Sequence, residues 1–345
     1  MSLISEINEQ PAVIRRLMES QAGMVAQVAA KVRQEHVNYA LVAARGTSNN
    51  AALYATYLWG AANRLPVALA APSLFSVYRQ PPCLRGALVV GISQSGQSPD
   101  IVAVLSEAGR QGALTLAITN DPASPLARAS EFVLDLCAGP ERAVAATKTY
   151  TAELMAIAMV SAALNEDRAA VEILRAVPGL VEEALRSEEA VARAAGRLSA
   201  MDQCVVLGRG YNFATAHEWS LKLKELAYVV AAPYSSADFL HGPIAMVEPG
   251  FPVLAVAPAG AAQRDMVALL LRLHHEHRAD LLVISNDQEV LAGSQALLWL
   301  PMDLPEWISP MVSIVPAQLF CYHVTCAKGH DPEKPRGLSK VTLTH

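Results

Sequence analysis

The feature that most restricts the fold of this 345-residue chain is an internal repeat. Leu41–Gly46 (LVAARG) resembles Val205–Gly210 (VVLGRG), and Leu116–Asp121 (LAITND) resembles Leu282–Asp287 (LVISND). The first pair is offset by 164 residues and the second by 166, so the spacing between the copies is nearly constant. A constant offset indicates a tandem duplication of one folding unit of roughly 150 residues.

Each copy has the pattern of alternating strands and helices. In the first copy, short apolar runs are separated by turn residues and helical patterns, which is typical of a mostly parallel sheet covered on both faces. The predicted strands there are Tyr39–Ala44, Val67–Ala70, Ala87–Ile92, Leu114–Ile118 and Phe132–Leu136. The chain is therefore predicted to be an α/β protein with two tandem, doubly wound domains.

A charged, alanine-rich stretch interrupted by Pro178-Gly179 separates the two copies and contains the predicted domain boundary. The first predicted domain covers residues 1–165 and includes an N-terminal helical arm over residues 3–36. The second covers residues 166–345, with connecting helices at its start and a polar C-terminal tail over residues 331–345. A tail of this kind is expected to fray.

The composition excludes several classes of partner. Charged residues make up 17% of the chain, the net charge is -5, and no basic run is present, so neither a nucleic acid nor a membrane surface is expected. Five scattered cysteines do not form a disulfide framework, and no export signal or apolar run of the roughly 18 residues that span a membrane is present. We predict a cytoplasmic protein with a small-molecule ligand and with neither metal nor cofactor.

A serine-rich loop follows the predicted strand Ala87–Ile92. Small hydroxyl residues between a strand and a helix direct backbone N–H groups and Oγ atoms into one concavity, which suits a phosphate group. The candidate ligands in this loop are Ser93, Gln94, Ser95 and Ser98. An ordinary strand-to-helix turn is the alternative interpretation.

A second polar loop strengthens the phosphate interpretation. Thr47 and Ser48 follow the predicted strand Tyr39–Ala44, and loops at the carboxyl ends of parallel strands can face each other across a crevice. The second copy has Pro258-Ala259-Gly260 in place of the serine-rich loop, without any hydroxyl. Only the first copy is therefore expected to hold an anion.

The candidate acid and base residues lie in the second copy. Glu218, Lys222 and Glu225 share one face of a predicted helix, which we expect to continue through Val230. A carboxylate held in a polar cleft can act as a base, although a solvated Glu–Lys pair is the common alternative. His241 lies in the turn His241-Gly242-Pro243 and has either a structural or a catalytic role. Lys340 can take part in catalysis only if the C-terminal tail docks onto the protein.

Taken together, these residues resemble the sugar isomerase (SIS) family, and in particular the paired SIS domains that form the isomerase module of glucosamine-6-phosphate synthases. The resemblance covers essentially the whole chain and follows the family's order. It rests on EINEQP at Glu6–Pro11, RGTS at Arg45–Ser48, ISQSG at Ile92–Gly96, AITN at Ala117–Asn120, VAATK at Val144–Lys148, LKLKE at Leu221–Glu225, HGP at His241–Pro243 and the tail Pro335–Lys340.

The resemblance implies flavodoxin-like SIS domains and a role for each site residue. The first-domain hydroxyls would hold a sugar 6-phosphate, Glu225 would move a proton between C1 and C2, and His241 would open the ring. Lys340 would react with the ketose carbonyl, with Lys222 and Glu218 as further members of the catalytic set. Val144, Ala146 and Ser339 would also contact the substrate. A homodimer is implied, with the histidine loop contributed by the neighbouring subunit.

Three departures from the synthase pattern shape the expected function. No glutaminase sequence is present, Ser98 replaces the usual Thr, and Ala146 replaces the usual Ser. We therefore predict a glucosamine-6-phosphate deaminase/isomerase that releases ammonia through an enolamine. The alternatives are a fructosamine-6-phosphate deglycase, an ammonia-dependent glucosamine-6-phosphate synthase subunit and a non-catalytic sugar-phosphate sensor.

Overall fold

The computed structural model describes residues 2–287, 290 and 296–340. The first half contains α1 (Leu3–Asn8), α2 (Gln10–Gln34), β1 (Tyr39–Ala44), α3 (Gly46–Asn63), β2 (Val67–Leu69), α4 (Ser73–Ser76), β3 (Ala87–Ser93), α5 (Pro99–Arg110), β4 (Leu114–Thr119), α6 (Pro125–Arg128), β5 (Phe132–Asp135) and α7 (Lys148–Leu164). The predicted helical arm and all five predicted strands of the first copy are confirmed, within one or two residues at their ends.

The second half repeats the pattern. It contains α8 (Arg168–Leu185), α9 (Glu188–Arg197), β6 (Gln203–Gly208), α10 (Phe213–Lys222), β7 (Val230–Ser235), α11 (Ser236–Leu240), β8 (Pro252–Val256), α12 (Gln263–His275), β9 (Asp280–Ser285), β10 (Ala296–Trp299) and α13 (Ser309–Ala327). A π-helical turn at Leu223–Ala227 follows α10, and 3-10 turns occur at Gly210–Asn212, Pro243–Met246 and Glu306–Ile308.

The first sheet is parallel, with the strand order β2-β1-β3-β4-β5. The chain moves outward from β1 to β2 and then crosses back to β3, so the strand order reverses between β1 and β3. Ligands of open α/β sheets bind outside the carboxyl ends of the strands at such a reversal. The two loops that were predicted to hold phosphate leave the sheet at this point.

The second sheet has the same topology. Its strands are parallel in the order β10-β9-β8-β6-β7, and the order reverses between β6 and β8. The α/β class with two parallel, helix-covered sheets is thus confirmed. One expectation is wrong, because Val230 does not continue a helix. Tyr228 adopts the left-handed conformation at φ 56° and ends the helical run, and Val230 then begins the edge strand β7.

Buried residues form the interior of the first unit. All seven residues of β3 are buried, as expected for a central strand covered on both faces. The helix α7 is buried over nearly its whole length and packs against α2 and α3, where the indole N–H of Trp59 donates to the carbonyl of Ile157 at 3.1 Å. Among the described residues, no helix is both long and apolar enough to cross a lipid bilayer.

The chain divides into two compact units whose segments alternate in sequence. The first unit, which contains the first sheet, comprises Glu9–Glu141, Lys148–Ala176 and the tail from Ser339. The second unit, which contains the second sheet, comprises the residues up to Asn8, Arg142–Thr147 and Val177–Leu338. The domain boundary at residues 165 and 166 stays a prediction from the sequence.

Candidate active site

Two loops of the first unit form the candidate phosphate site. Thr47 and Ser48 lie in the first turn of α3, directly after β1, and Ser93 ends β3 ahead of the loop to α5. An ion pair ties the two loops together, because the Arg45 guanidinium donates to the buried Asp100 carboxylate at 2.8 Å. The loops that the sequence placed at two strand ends therefore lie side by side.

The serine-rich loop has a fixed conformation. Ser93 Oγ accepts a hydrogen bond from the Gly96 N–H at 3.1 Å, and Ser95 Oγ accepts one from the Gln97 N–H at 3.3 Å. The Gln94 carbonyl accepts from the Asn120 N–H at 3.1 Å, which fastens the loop to the end of β4. Ser98 precedes α5 without capping it by its side chain. The loop thus presents a preformed set of small polar groups, and their contact with phosphate stays a prediction.

Gly96 is required by this conformation. Its φ is +60°, and a Cβ at this position would lie 2.5 Å from the Cβ of Ser124. We expect Gly96→Ala to weaken phosphate or sugar-phosphate binding by about tenfold, because left-handed strain and the contact with Ser124 both displace the loop. Isothermal titration calorimetry measures this change.

Gly112→Ala is the matched control. Gly112 also has a positive φ, +74°, but a Cβ there would meet nothing within 4 Å. This variant is expected to lose about 1 kcal/mol of stability through backbone strain and to keep its affinity for the anion. Equal affinities for Gly96→Ala and the native protein would show that the loop does not hold the ligand.

The Ser48 hydroxyl has a partner that the sequence did not predict. Its hydroxyl donates to the Glu153 carboxylate of α7 at 2.7 Å, and both side chains are buried. The Ser48 proton is therefore directed into the protein and not toward the loop. Sequence reasoning missed Glu153, although a single acidic residue in an otherwise uncharged apolar stretch of helix was a usable signal.

In the second unit, a carboxylate of the chain itself lies at the equivalent loop. Glu306 accepts a hydrogen bond from the Ala261 N–H at 2.7 Å. Gly260 has φ +154°, and a Cβ there would lie 2.7 Å from Glu306 Cγ, so only glycine leaves room for this side chain. The second loop therefore already has an internal anion beside its N–H groups, which the sequence did not reveal.

The predicted charged face of α10 exists as a buried cluster in the second unit. Lys222 Nζ lies 3.2 Å from Glu218 Oε1 and 2.6 Å from Glu225 Oε2. Glu218 and Lys222 are buried, whereas the Glu225 side chain is 25% exposed. Glu225 lies in the π-helical turn Leu223–Ala227, and such turns frequently occur at functional sites. One carboxylate of the cluster thus reaches solvent while the lysine holds it in place.

The electrostatics of this cluster keep the lysine charged. Burial by itself would lower the pKa of Lys222, but the carboxylates of Glu218 and Glu225 outweigh this effect and raise the pKa above its usual value. Lys222 therefore remains an ammonium ion at any physiological pH. It can neutralise and orient Glu225, but it cannot itself accept a proton there.

The C-terminal tail is docked and not frayed up to Lys340. Within the second unit, the Arg336 guanidinium stacks 3.7 Å from the ring centre of Tyr228, and the Arg336 N–H donates to the Tyr228 hydroxyl at 2.8 Å. Within the first unit, Lys340 Nζ lies 2.7 Å from Glu141 Oε2. Glu141, which sequence reasoning missed, also accepts from the Thr149 hydroxyl at 2.8 Å. Ser339 precedes Lys340 in the same unit.

The remaining predicted substrate contacts belong to the second unit. Val144 and Ala146 are partly buried in the segment Arg142–Thr147. The buried Glu6 carboxylate holds this segment by accepting from the N–H groups of Arg142 at 2.5 Å and Ala143 at 3.2 Å. Glu6 thus orders the backbone that carries both predicted residues.

His241 ends the short helix α11, and its side chain is exposed. The structure thus places it in the same unit as Glu225 but gives it a solvent-facing position. Within residues 2–287, 290 and 296–340, no group of three or more His, Cys, Asp or Glu side chains is placed to hold a metal ion. All five cysteines are free thiols.

Comparison with known proteins finds a matching family model, similar curated relatives and similar solved structures. The model of the SIS domain matches residues 35–163 and 197–328. The glutamine–fructose-6-phosphate aminotransferase (isomerizing) of Thermococcus kodakarensis is 34% identical over 350 residues, which cover 98% of this chain and 57% of that protein. The chain thus spans just over half the length of that relative.

Two solved structures are similar over nearly their full length. A Silicibacter pomeroyi protein assigned as a phosphosugar isomerase is 35% identical, with a TM-score of 0.86 and coverage of 96% of this chain and 99% of that one. The C-terminal domain of glucosamine-fructose-6-phosphate aminotransferase from Francisella tularensis is 29% identical, also with a TM-score of 0.86, and covers 96% and 98%.

Proposed function

Because this chain belongs to the SIS domain family, we propose that it is an amino-sugar phosphate enzyme, namely a glucosamine-6-phosphate deaminase/isomerase. The reaction converts an aminosugar 6-phosphate and water into a ketose 6-phosphate and ammonia. Fructose 6-phosphate is named as the substrate of the aminotransferase relative, and the proposed reaction forms the same ketose phosphate.

The observation that carries the proposal is the Glu218–Lys222–Glu225 cluster. Burying a lysine and a carboxylate costs desolvation free energy, and well-packed apolar residues often stabilise a fold as well or better. A cluster that nevertheless directs one lysine-bound carboxylate to solvent suits a base that must be held in one orientation. We propose Glu225 as that base, with Lys222 and Glu218 as the residues that position it.

The proposed reaction moves one proton between adjacent carbons. The two polar loops of the first unit are the proposed binding site of the 6-phosphate. Glu225 removes the proton from C2, and the electron pair forms a C1–C2 double bond while the aldehyde oxygen gains a proton. Return of the proton to C1 gives a C2 imine, which water hydrolyses to the ketone and ammonia. Lys340, as an ammonium ion paired with Glu141, is the proposed group that stabilises the oxygen at C1.

The test is a direct assay of products. Purified protein is incubated with glucosamine 6-phosphate, and ammonia and fructose 6-phosphate are measured; both are expected in equal amounts. Turnover of fructosamine 6-phosphate alone would favour the deglycase instead. Net formation of glucosamine 6-phosphate from fructose 6-phosphate and ammonia, without detectable reversal, would favour the synthase subunit. Binding of all these sugars without any turnover would overturn the enzyme proposal in favour of a sensor.

We also propose that His241 acts on the substrate of a neighbouring copy in a dimer. Glu225→Gln and His241→Ala, each inactive by itself, are then expected to regain activity after mixing and subunit exchange. In a two-fold dimer, half of the exchanged dimers are mixed and each has one site with both native residues, so about one quarter of native activity returns. His275→Ala, which changes another exposed histidine, is expected to remain active by itself. Exchange without any recovered activity would contradict this proposal.

A further inference from the structure

The second unit repeats the arrangement of the two loops that are proposed to hold phosphate in the first unit. In the first unit, Arg45 after β1 pairs with Asp100 of α5 at 2.8 Å. In the second unit, Arg209 after β6 pairs with Asp265 of α12 at 3.4 Å. The arginines are 164 residues apart in the chain and the aspartates 165, so the ion pair belongs to the internal repeat. The second unit therefore has its own two loops at the carboxyl ends of β6 and β8.

The carboxylate of Glu306 lies beside both of these loops. Its Oε2 accepts a hydrogen bond from the N–H of Ala261, in the loop after β8, at 2.7 Å. Its Oε1 lies 3.9 Å from the position that a Cβ on Gly210, in the loop after β6, would take. Burial and, to a lesser extent, the charge of Glu306 raise the pKa of the neighbouring Tyr211 hydroxyl. One carboxylate of the chain thus lies between the two loops, as the phosphate is proposed to do in the first unit.

The loop after β8 leaves room for this carboxylate and favours its charge. A Cβ on Gly260 would lie 2.4 Å from both Cδ and Oε2 of Glu306. The 13-residue helix α12 begins two residues after Ala261, and the positive end of its dipole favours a negative charge there. The hydrogen bond between Ala261 and Glu306 lies at the protein surface. An ion from solvent can therefore reach this position when the carboxylate is absent.

We infer that Glu306 is an internal anion that blocks a second phosphate-binding site, formed by the two loops of the second unit. In the native protein its charge repels a free anion and its atoms fill the space. Its removal opens the site to inorganic phosphate or a phosphate monoester, bound by backbone N–H groups. This loop has no hydroxyl residue, so its affinity is expected to be lower than that of the serine-rich loop. The inference goes beyond the proposed function, because it limits each chain to one anion site whatever reaction the chain catalyses.

The experiment counts the phosphate ions bound per chain by equilibrium dialysis, with inorganic phosphate up to about 20 mM at constant pH and ionic strength. Glu306→Ala is expected to bind one more phosphate per chain than the native protein. The matched control is Glu276→Ala, which removes the same charge from an exposed position just after α12 and is expected to bind no additional phosphate. Equal numbers for Glu306→Ala and the native protein, or the same gain in Glu276→Ala, would overturn the inference.

Thermal unfolding gives an independent measurement, because a ligand that binds only the folded protein raises the melting temperature. With a Kd of about 1 mM, phosphate at about 10 mM is expected to raise the melting temperature of Glu306→Ala by about 3 °C more than that of the native protein. Chloride at the same ionic strength is expected to produce no such difference. Equal shifts in phosphate would contradict the inference.

The same measurements separate this inference from the proposed function. If the native protein binds no phosphate and Glu306→Ala binds one, the proposed site of the first unit fails and the inference holds. If both bind one, the inference fails and the proposed site holds. If Glu306→Ala does not fold in buffer, it is refolded with phosphate or with chloride, together with Glu306→Ser. Recovery in phosphate alone supports the inference, and no recovery of either variant in phosphate overturns it.

Discussion

Glu225→Gln is expected to lower kcat for glucosamine 6-phosphate by about 10³-fold while leaving the Kd of fructose 6-phosphate nearly unchanged. Glutamine has the shape of glutamate and can still accept a hydrogen bond from Lys222, which lies 2.6 Å from Glu225 Oε2 in the native protein. It cannot remove a proton from carbon, and a positioned base contributes about 10²- to 10⁴-fold to the rate. The measurement is steady-state release of ammonia together with calorimetric binding.

A matched control for this variant is Glu248→Gln. Glu248 is an exposed glutamate of the second unit, and the same change there is expected to alter kcat less than about twofold. Native activity in Glu225→Gln would remove Glu225 as the base. A loss of both binding and folding would instead show that its role is structural.

Lys222→Met is expected to destabilise the protein by about 3–5 kcal/mol, which corresponds to a fall in melting temperature of roughly 10 °C. The methionine side chain is one atom shorter than that of lysine but also unbranched, and the substitution removes the ammonium ion that bridges Glu218 and Glu225. Glu218 is fully buried, so its charge then lies in a medium of low polarity without that cation. Differential scanning calorimetry measures the change.

Two controls isolate the buried charge as the cause. Adding Glu218→Gln to Lys222→Met is expected to restore part of the lost stability, because it removes the buried charge that has lost the Lys222 ammonium ion. Lys31→Met removes a partly exposed lysine that pairs with Glu35 at 2.7 Å, and it is expected to change the stability very little, because solvent screens this pair. Equal effects at Lys222 and Lys31 would contradict the explanation.

The stability of Lys222→Met is expected to depend on pH in a defined direction. In Lys222→Met the folded protein is expected to retain a proton on Glu218 at pH values where the unfolded chain has lost it. Because the folded state then binds more protons, stability falls as the pH rises above the range in which free glutamate titrates. The melting temperature of Lys222→Met should therefore be higher near pH 5.5 than near pH 8, relative to the native protein.

Local patterns in the sequence were sufficient to predict the five strands of the first copy. β1 was predicted at the residues it occupies, because a short apolar run bounded by turn residues is typical of a buried strand in a parallel sheet. The start of α3 was not predicted, since Thr47 and Ser48 were assigned to a polar loop, whereas the helix begins at Gly46. Gly, Thr, Ser and Asn are weak helix formers in isolation but are tolerated in the first turn of a helix. Contacts with the rest of the fold then decide whether that turn is helical.

The sequence also led to a wrong assignment at the end of α10. Val229 and Val230 continued an apolar helical pattern, and nothing in that spacing distinguishes a buried helix from an edge strand. The left-handed Tyr228 ends the helical run, and pairing with β6 then makes Val230 the start of β7. The corresponding strand β2 of the first copy, 163 residues earlier at Val67, was a signal that the repeat itself contained.

The sequence by itself determined the two copies, the parallel sheets, the polar loops at the strand ends and the shared face of Glu218, Lys222 and Glu225. These features depend on residues close together in the chain. Only the tertiary structure decided the pairs Ser48–Glu153, Lys340–Glu141 and Ala261–Glu306, whose members are 105, 199 and 45 residues apart. Such partners come together through packing of whole elements, and no local periodicity encodes which buried carboxylate a given donor will meet.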